Sequence, residues 1–138
     1  MLSDIDDYLI EQEKPILKGR IDIYIQSLNP KNKFGIIIEN KLHAEDQKLQ
    51  LNRYYDFING RKYGDHQMIM FYLTIDGSDP SNYSIDMNLL AELKRRNIFY
   101  NLSYRTDIYN WLHVVLNSIK ADKLKYLVEQ YLEIIKHL

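Results

Sequence analysis

The sequence predicts an α/β fold in which helices flank a mixed central sheet of about five strands. Three observations carry this. Residues 19 to 41 hold two apolar strands separated by the turn residues Asn29-Pro30-Lys31-Asn32-Lys33. A third apolar strand, Met68-Ile69-Met70-Phe71-Tyr72-Leu73-Thr74-Ile75, follows a helical stretch, so that it and the strand before the helix form a parallel β-α-β crossover. The chain then closes with helix-periodic apolar residues from Ile108 onward.

In chain order, Tyr8-Leu9-Ile10-Glu11-Gln12-Glu13 is short and mixed, and Pro15 would interrupt any helix passing through it. It reads as an opening strand, joined in a hairpin to the next by Lys18-Gly19. In Gly19-Arg20-Ile21-Asp22-Ile23-Tyr24-Ile25 the alternation places Ile21, Ile23 and Ile25 on one face and Asp22, Tyr24 and Gln26 on the other. Phe34-Gly35-Ile36-Ile37-Ile38 is the continuous run expected of a strand buried on both faces, and it ends abruptly in Glu39-Asn40-Lys41. A helix over 44 to 59, ended by Gly60, is predicted to bury a Leu51, Tyr55 and Ile58 stripe and to carry Gln47, Gln50 and Tyr54 on a different face.

After the Met68 strand, the acids of Asp76-Gly77-Ser78-Asp79-Pro80-Ser81-Asn82 read as solvated turn formers. A short amphipathic helix follows over 86 to 96. Its closing Lys94-Arg95-Arg96 either complements the helix dipole or forms a local patch facing phosphate. Phe99-Tyr100-Asn101-Leu102-Ser103-Tyr104 is the last strand, and Thr106 or Asp107 is expected to cap a helix with Ile108, Trp111, Leu112, Val115, Leu116 and Ile119 on its apolar side. A final helix, 123 to 137, is predicted to bury Leu124, Leu127, Val128, Tyr131, Ile134 and Ile135. Trp111 reads as core, and most of the 12 tyrosines as half-buried packing residues.

At 138 residues the chain has the length of one domain with a core of its own, residues 1 to 138. Apolar residues make up 46% and charged residues 27%, the balance of a globular rather than a disordered protein. Eighteen basic against nineteen acidic residues leave a net charge of −1, so nucleic-acid binding would depend on a local basic patch. There is no cysteine, which excludes disulfides and a thiolate zinc site. The four histidines are scattered without metal-pair spacing; His43 stands nearest the Glu39 strand end. An acidic start in place of a basic, then apolar, leader, and no apolar run of the roughly 20 residues a membrane span needs, give a cytoplasmic expectation without a membrane partner.

The chemistry concentrates at the strand ends. Glu39 and Lys41 share a face, and pairing of the two strands would bring Asp22 beside them. Mg²⁺ takes one or two carboxylates and keeps its other positions for water and phosphate. Gln50 and Tyr54, at i and i+4, would point to one spot beside those ends.

This arrangement resembles the PD-(D/E)XK nuclease superfamily. Gly19-x-x-Asp22, Glu39-x-Lys41 and Gln50-x-x-x-Tyr54 are similar, in order, to the motifs of its RecB-like branch. Ile38-Glu39-Asn40-Lys41, Asp46-Gln47, Gln50 to Tyr55, Phe71-Tyr72-Leu73-Thr74 with Asp76-Gly77 and Pro80-Ser81, and Leu102-Ser103-Tyr104 with Ile108 and Trp111-Leu112 resemble a bacterial family of small nuclease-like proteins in that superfamily. The likeness runs from Gly19 to about Trp111.

The resemblance implies a restriction-endonuclease-like core and a Mg²⁺- or Mn²⁺-dependent phosphodiesterase acting on DNA. Asp22, Glu39 and the backbone carbonyl of Asn40 would hold the metal, and Lys41 would orient the nucleophile. Gln50 and Tyr54 would position the scissile phosphate or a ligand water. Glu13 or Glu11 would be the accessory acid, the helix that usually precedes it being shortened or missing, and Arg20, Lys94, Arg95 and Arg96 are the candidate nucleic-acid contacts. Two other readings compete: a catalytically inactive binding module of a larger defence or repair assembly, with a protein partner or as a homo-oligomer, and a structural protein in which Asp22, Glu39 and Lys41 form only an ion-pair network.

Overall fold

The computed structural model describes residues 7–138. Any part of the expected shortened helix that falls in residues 1–6 lies outside the described residues.

Five strands form one sheet in the order β1-β2-β3-β4-β5. β1 (Tyr8–Ile16) and β2 (Gly19–Ser27) make the expected hairpin, Ile16 lying opposite Gly19. Gly19 has φ 132, a conformation open to glycine at no steric cost. β3 (Gly35–Lys41) pairs antiparallel with β2. The chain then crosses through α1 (Gln50–Asn59) to β4 (Met68–Thr74), parallel to β3, and through α2 (Met87–Arg95) to β5 (Phe99–Ser103), parallel to β4. Lys41, Thr74 and Ser103 therefore end at one level, the carboxyl edge of the parallel strands where α/β sheets place their sites. A π-helical turn (Tyr104–Ile108), α3 (Tyr109–Leu116) and α4 (Asp122–Lys136) complete the fold.

Two apolar clusters hold these layers. The first joins α1 and α2 to the sheet through Leu51, Tyr54, Ile58, Leu90 and Leu93 against Tyr24, Ile37 and Met70. The second gathers Leu73, Tyr104, Leu112, Leu132 and Ile135 beneath α3 and α4. This division corrects the reading of β3 as buried on both faces. Ile37, Glu39 and Lys41 are buried, whereas Ile36 and Ile38 are half-buried and Asn40 is exposed. Nor does β2 alternate as expected, since Ile21 and Tyr24, of opposite parity, are both fully buried in the first cluster while Ile23 and Ile25 are half-exposed.

The helices bring further corrections. α1 starts at Gln50, not at 44, because Leu49 takes a left-handed backbone (φ 51) and the preceding loop is tied elsewhere by Asp46. Its buried face holds Gln50, Leu51, Tyr54 and Ile58 together, so Tyr54 takes the core place expected of Tyr55. α2 is as expected, with Asp86 as its cap accepting from the Leu89 amide at 3.0 Å. Ser103, not Thr106 or Asp107, caps the turn before α3: its hydroxyl accepts the Thr106 and Asp107 amides, and Asp107 takes the Ser103 amide at 2.7 Å. Trp111 is 59% exposed and Ile119 lies beyond the end of α3. On α4, Leu132 and Ile135 are buried and Val128 packs on the second cluster, while Leu124, Leu127, Tyr131 and Ile134 face outward.

Candidate active site

The site forms where β2 parts from β3. Backbone pairing of the two strands runs from Gln26–Gly35 to Ile23–Ile38. At the next position the Asp22 carboxylate itself accepts the Asn40 amide, at 2.8 Å. A carboxylate thus replaces a strand partner at the mouth of the sheet.

Glu39 and Lys41 point the other way from Asn40, into the layer covered by α1, and are only 2% and 9% exposed. Lys41 Nζ lies 3.1 Å from Glu39 Oε1 and donates to the Glu45 carbonyl at 3.1 Å. The same Glu39 oxygen accepts from Gln50 Nε2 at 2.9 Å. That amide also donates to the Tyr54 hydroxyl at 2.9 Å, and the hydroxyl in turn donates to the Arg20 carbonyl. One oxygen of Glu39 is crowded with donors. The other, Oε2, is buried with no partner, and so is Gln50 Oε1. Such an orphaned acceptor costs about 1–3 kcal/mol.

The electrostatics match. Burial first, and the Asp22 carboxylate second, push the Glu39 carboxyl up to about 7, against the opposing pull of Lys41. Burial and the nearby Glu39 also raise the Tyr54 hydroxyl, which stays a neutral donor.

An open cleft of about 340 Å³ brings Asp22, Glu39, Lys41 and Gln50 together with Arg20 and Glu13. Glu13 falls opposite Asp22 in the hairpin register, between Gln12–Ile23 and Lys14–Ile21, and has φ 50, uncommon for a side chain of its kind. Its carboxylate lies 3.4 Å from Arg20. Glu11 pairs instead with Lys14 at 2.8 Å and is not part of the cleft. Lys94 and Arg96 are likewise engaged elsewhere, Lys94 with Asp79 at 2.6 Å and Arg96 with Asp65 at 2.6 Å and Glu92 at 3.2 Å. Asp65 precedes β4, so Arg96 sits at the opposite end of the parallel strands from Lys41. Arg95 and His43 do not line the cleft. Asp79, read as a solvated turn former, is an ion-pair and hydrogen-bond acceptor for Lys94 and Asn101.

Sequence reasoning left out the residues behind the site. Asp46 accepts from Tyr72 Oη at 2.9 Å, from the Ser81 amide at 3.0 Å and from Ser81 Oγ at 2.6 Å, fixing the loop whose Glu45 carbonyl holds Lys41. Tyr104 donates to Asn40 Oδ1 at 2.9 Å. Asp46-Gln47 and Tyr104 do lie in the blocks that carry the family resemblance, but neither spacing nor residue type marks what they do.

Among the described residues no group of three or more His, Cys, Asp or Glu side chains could hold a metal ion. A cation at this cleft would draw on the Asp22 and Glu39 carboxylates and on neutral oxygens, a donor set suited to Mg²⁺ or Mn²⁺ rather than to zinc. The unpartnered Glu39 Oε2 fits that group.

A sequence model of the PD-(D/E)XK nuclease superfamily matches residues 1–133. A comparison with curated proteins gives no match. A solved structure of an EndoMS–dsDNA complex is similar at 16% identity and a TM-score of 0.35, over 71% of this chain and 37% of that one. The chain therefore spans little more than a third of that relative's length.

Proposed function

Because the chain belongs to the PD-(D/E)XK nuclease superfamily, we propose that it is a divalent-metal-dependent nuclease that hydrolyses phosphodiester bonds of DNA at the Asp22–Glu39–Lys41 cleft. One observation carries the reading. Two buried acceptor oxygens, Glu39 Oε2 and Gln50 Oε1, lack donors in side chains that line the cleft beside a second carboxylate. Buried acceptors are ordinarily paired, and these two sit side by side at the mouth of a cleft.

Asp22, Glu39 and the Asn40 carbonyl would hold Mg²⁺ or Mn²⁺, which when bound lowers the pKa of water and offsets charge on the phosphate. Lys41 is held from behind by the Glu45 carbonyl, so its remaining donors can meet a phosphate oxygen or orient the attacking water. Gln50 spends its amide on Glu39 and Tyr54 and keeps a buried, unpartnered carbonyl oxygen, which would accept a hydrogen bond from a water admitted beside Glu39. Tyr54 is turned inward and acts as a positioning residue, holding Gln50 against the Arg20 backbone. Arg20, 68% exposed, is the cation of the cleft mouth available to the nucleic-acid backbone.

The test is incubation of the purified protein with single-stranded, double-stranded and branched DNA in Mg²⁺, Mn²⁺ or a chelator. Cleavage that requires metal and disappears in Glu39→Gln is expected. Metal-dependent binding without cleavage of any substrate would assign the fold to an inactive module, and a melting temperature indifferent to both metals would remove the metal site altogether.

A further inference from the structure

We propose that the pocket between the β1–β2 turn and α1 is a nucleotide subsite, which takes an unpaired nucleotide beside the scissile phosphate and so makes DNA with single-stranded segments the substrate. The inference rests on the nuclease reading above. The pocket, about 320 Å³, is lined by Ile16, Leu17, Lys18, Arg53, Asp56 and Phe57. That is the lower end of the range, roughly 300–1,000 Å³, that holds small organic ligands.

Arg53 joins this pocket to the active cleft. A Cβ on Gly19, a cleft residue, would lie 3.8 Å from both Nε and Nη2 of Arg53, and Nη2 lies 3.5 Å from Oε1 of Gln47, which also lines the cleft. The guanidinium meets neutral oxygens, those of Gln47 and of the Lys48 carbonyl. Among the described residues no carboxylate, Asp56 included, lies within ion-pair distance of it, and its Nε is buried without an acceptor. A half-buried cation without a counter-charge is a place for an anion. Lys18, exposed at the turn, has no ion pair among the described residues either. With Arg20 at the cleft mouth, Lys18 and Arg53 make the local basic patch that a net charge of −1 requires and that Lys94 and Arg96, each held by carboxylates, do not supply.

The apolar wall decides what the anion carries. Phe57 packs edge-on against Tyr24, with ring centroids 5.3 Å apart, and its half-exposed remainder lines the pocket with Ile16 and Leu17. Leu17 is 97% exposed in a two-residue turn that a polar residue would serve as well. A nucleobase fits this wall by stacking, and Asp56 can accept from a base amino group. A base within a duplex is paired at its edge and stacked on both faces, so only an unpaired one can reach Phe57.

Fluorescence anisotropy tests this with a labelled blunt duplex and the same duplex carrying a single-stranded tail, in Mg²⁺ and on the Lys41→Ala background so that the DNA stays whole. The tailed DNA is expected to bind about 5- to 100-fold more tightly. Phe57→Leu should remove that preference while leaving the affinity for blunt duplex unchanged. Lys18→Ala, at an exposed turn position that cannot unfold the chain, and Arg53→Gln should each weaken binding of the tailed DNA. Each should also reduce the slope of log affinity against log salt by about 0.7. Equal affinity for the two DNAs, or a tail preference and salt slope that survive all three substitutions, would overturn the subsite, and metal-dependent cleavage by the wild type would then leave the nuclease reading standing. Tail preference lost in Phe57→Leu, in a wild type that cleaves nothing, would keep the subsite and sink the catalysis.

Discussion

Glu39 and Asp46 are two carboxylates separated by one short loop, and the protein treats them in opposite ways. Both oxygens of Asp46 are filled, one by Tyr72 and the other twice by Ser81. Although burial alone would raise the Asp46 carboxyl, these donors outweigh it and hold the group below its ordinary value. Glu39 is buried further, receives Lys41 and Gln50 on a single oxygen, and is pushed up to about 7. A closed network stabilises a fold; an open one, kept beside a second carboxylate, is strain that a ligand relieves. Under the proposed function, this contrast gives Asp46 to architecture and Glu39 to chemistry.

The largest effect expected from breaking that contrast falls on Lys41. It is the strand-end cation of the open network, yet the loop closed by Asp46 holds it in place. Lys41→Ala should reduce cleavage by about 10²–10³-fold while DNA affinity and the circular-dichroism spectrum change little, since interactions made only in the transition state affect rate and not binding. A variant that cleaves at wild-type rate would end the catalytic assignment. Affinity falling as far as the rate would make Lys41 a binding residue.

The second effect is a pH dependence. In the metal-free protein Glu39 keeps its proton up to about 7, whereas in the unfolded chain it releases it near the usual 4.5. Between those values the native state binds more protons, so the contribution is complete below 4.5 and is lost as pH rises through about 7. The loss is about 3 kcal/mol in all. Glu39→Gln should flatten this slope in chelator. Mg²⁺ should raise the melting temperature of the wild type more at pH 8 than at pH 5, because protons compete for the same carboxylate. Thermal melts across pH, with and without metal, read both, and a Mg²⁺ response as large at pH 5 as at pH 8 would contradict the open-network account.

Asp46 gives the third effect, on stability. Asp46→Ala removes the acceptor of three donors and should cost about 1–3 kcal/mol, read as a lower denaturant midpoint. The wild-type stabilisation from this group is present above the unfolded value of 3.8 and fades as pH falls through the lowered native value. The variant should still be stabilised by Mg²⁺. If instead it loses the metal response and keeps its stability, the roles of the two carboxylates are reversed.

The same contrast shows what was legible in the sequence. β2, β3 and β4 announced themselves because their apolar runs are local, and Asp22, Glu39 and Lys41 followed from strand ends whose register the turns and the crossover fix. The Asp46 clasp did not, since its partner Ser81 is 35 residues away and a lone acid in a loop carries no pattern. α1 offered two equal solutions: Leu51-Tyr55-Ile58 and Leu51-Tyr54-Ile58 both fit the helical period. The Arg20 carbonyl, which needs a hydroxyl, decided between them. α4 failed for the opposite reason. It is apolar on two flanks, and periodicity says that a helix has an apolar side without saying which side its own sheet covers.

The smallest effect belongs to Tyr54, which joins the core through its ring and the open network through its hydroxyl. Its ring is 1% exposed in the first core cluster, and its hydroxyl carries the link from Gln50 to the Arg20 backbone. Tyr54→Phe keeps the ring and removes the link. It should cost only about 1 kcal/mol of stability, because Gln50 keeps Glu39 as a partner. The effect on cleavage should be larger than that on folding, since Gln50 loses one of the two contacts that fix its side chain beside Glu39. Gln50→Ala, which removes the group itself, sets the limit Tyr54→Phe can approach but not pass. In double-mutant form the two losses should not add, as expected of residues acting through one group. Full additivity in kcat would mean that Tyr54 touches substrate directly, and no change in either variant would return this face of α1 to packing alone.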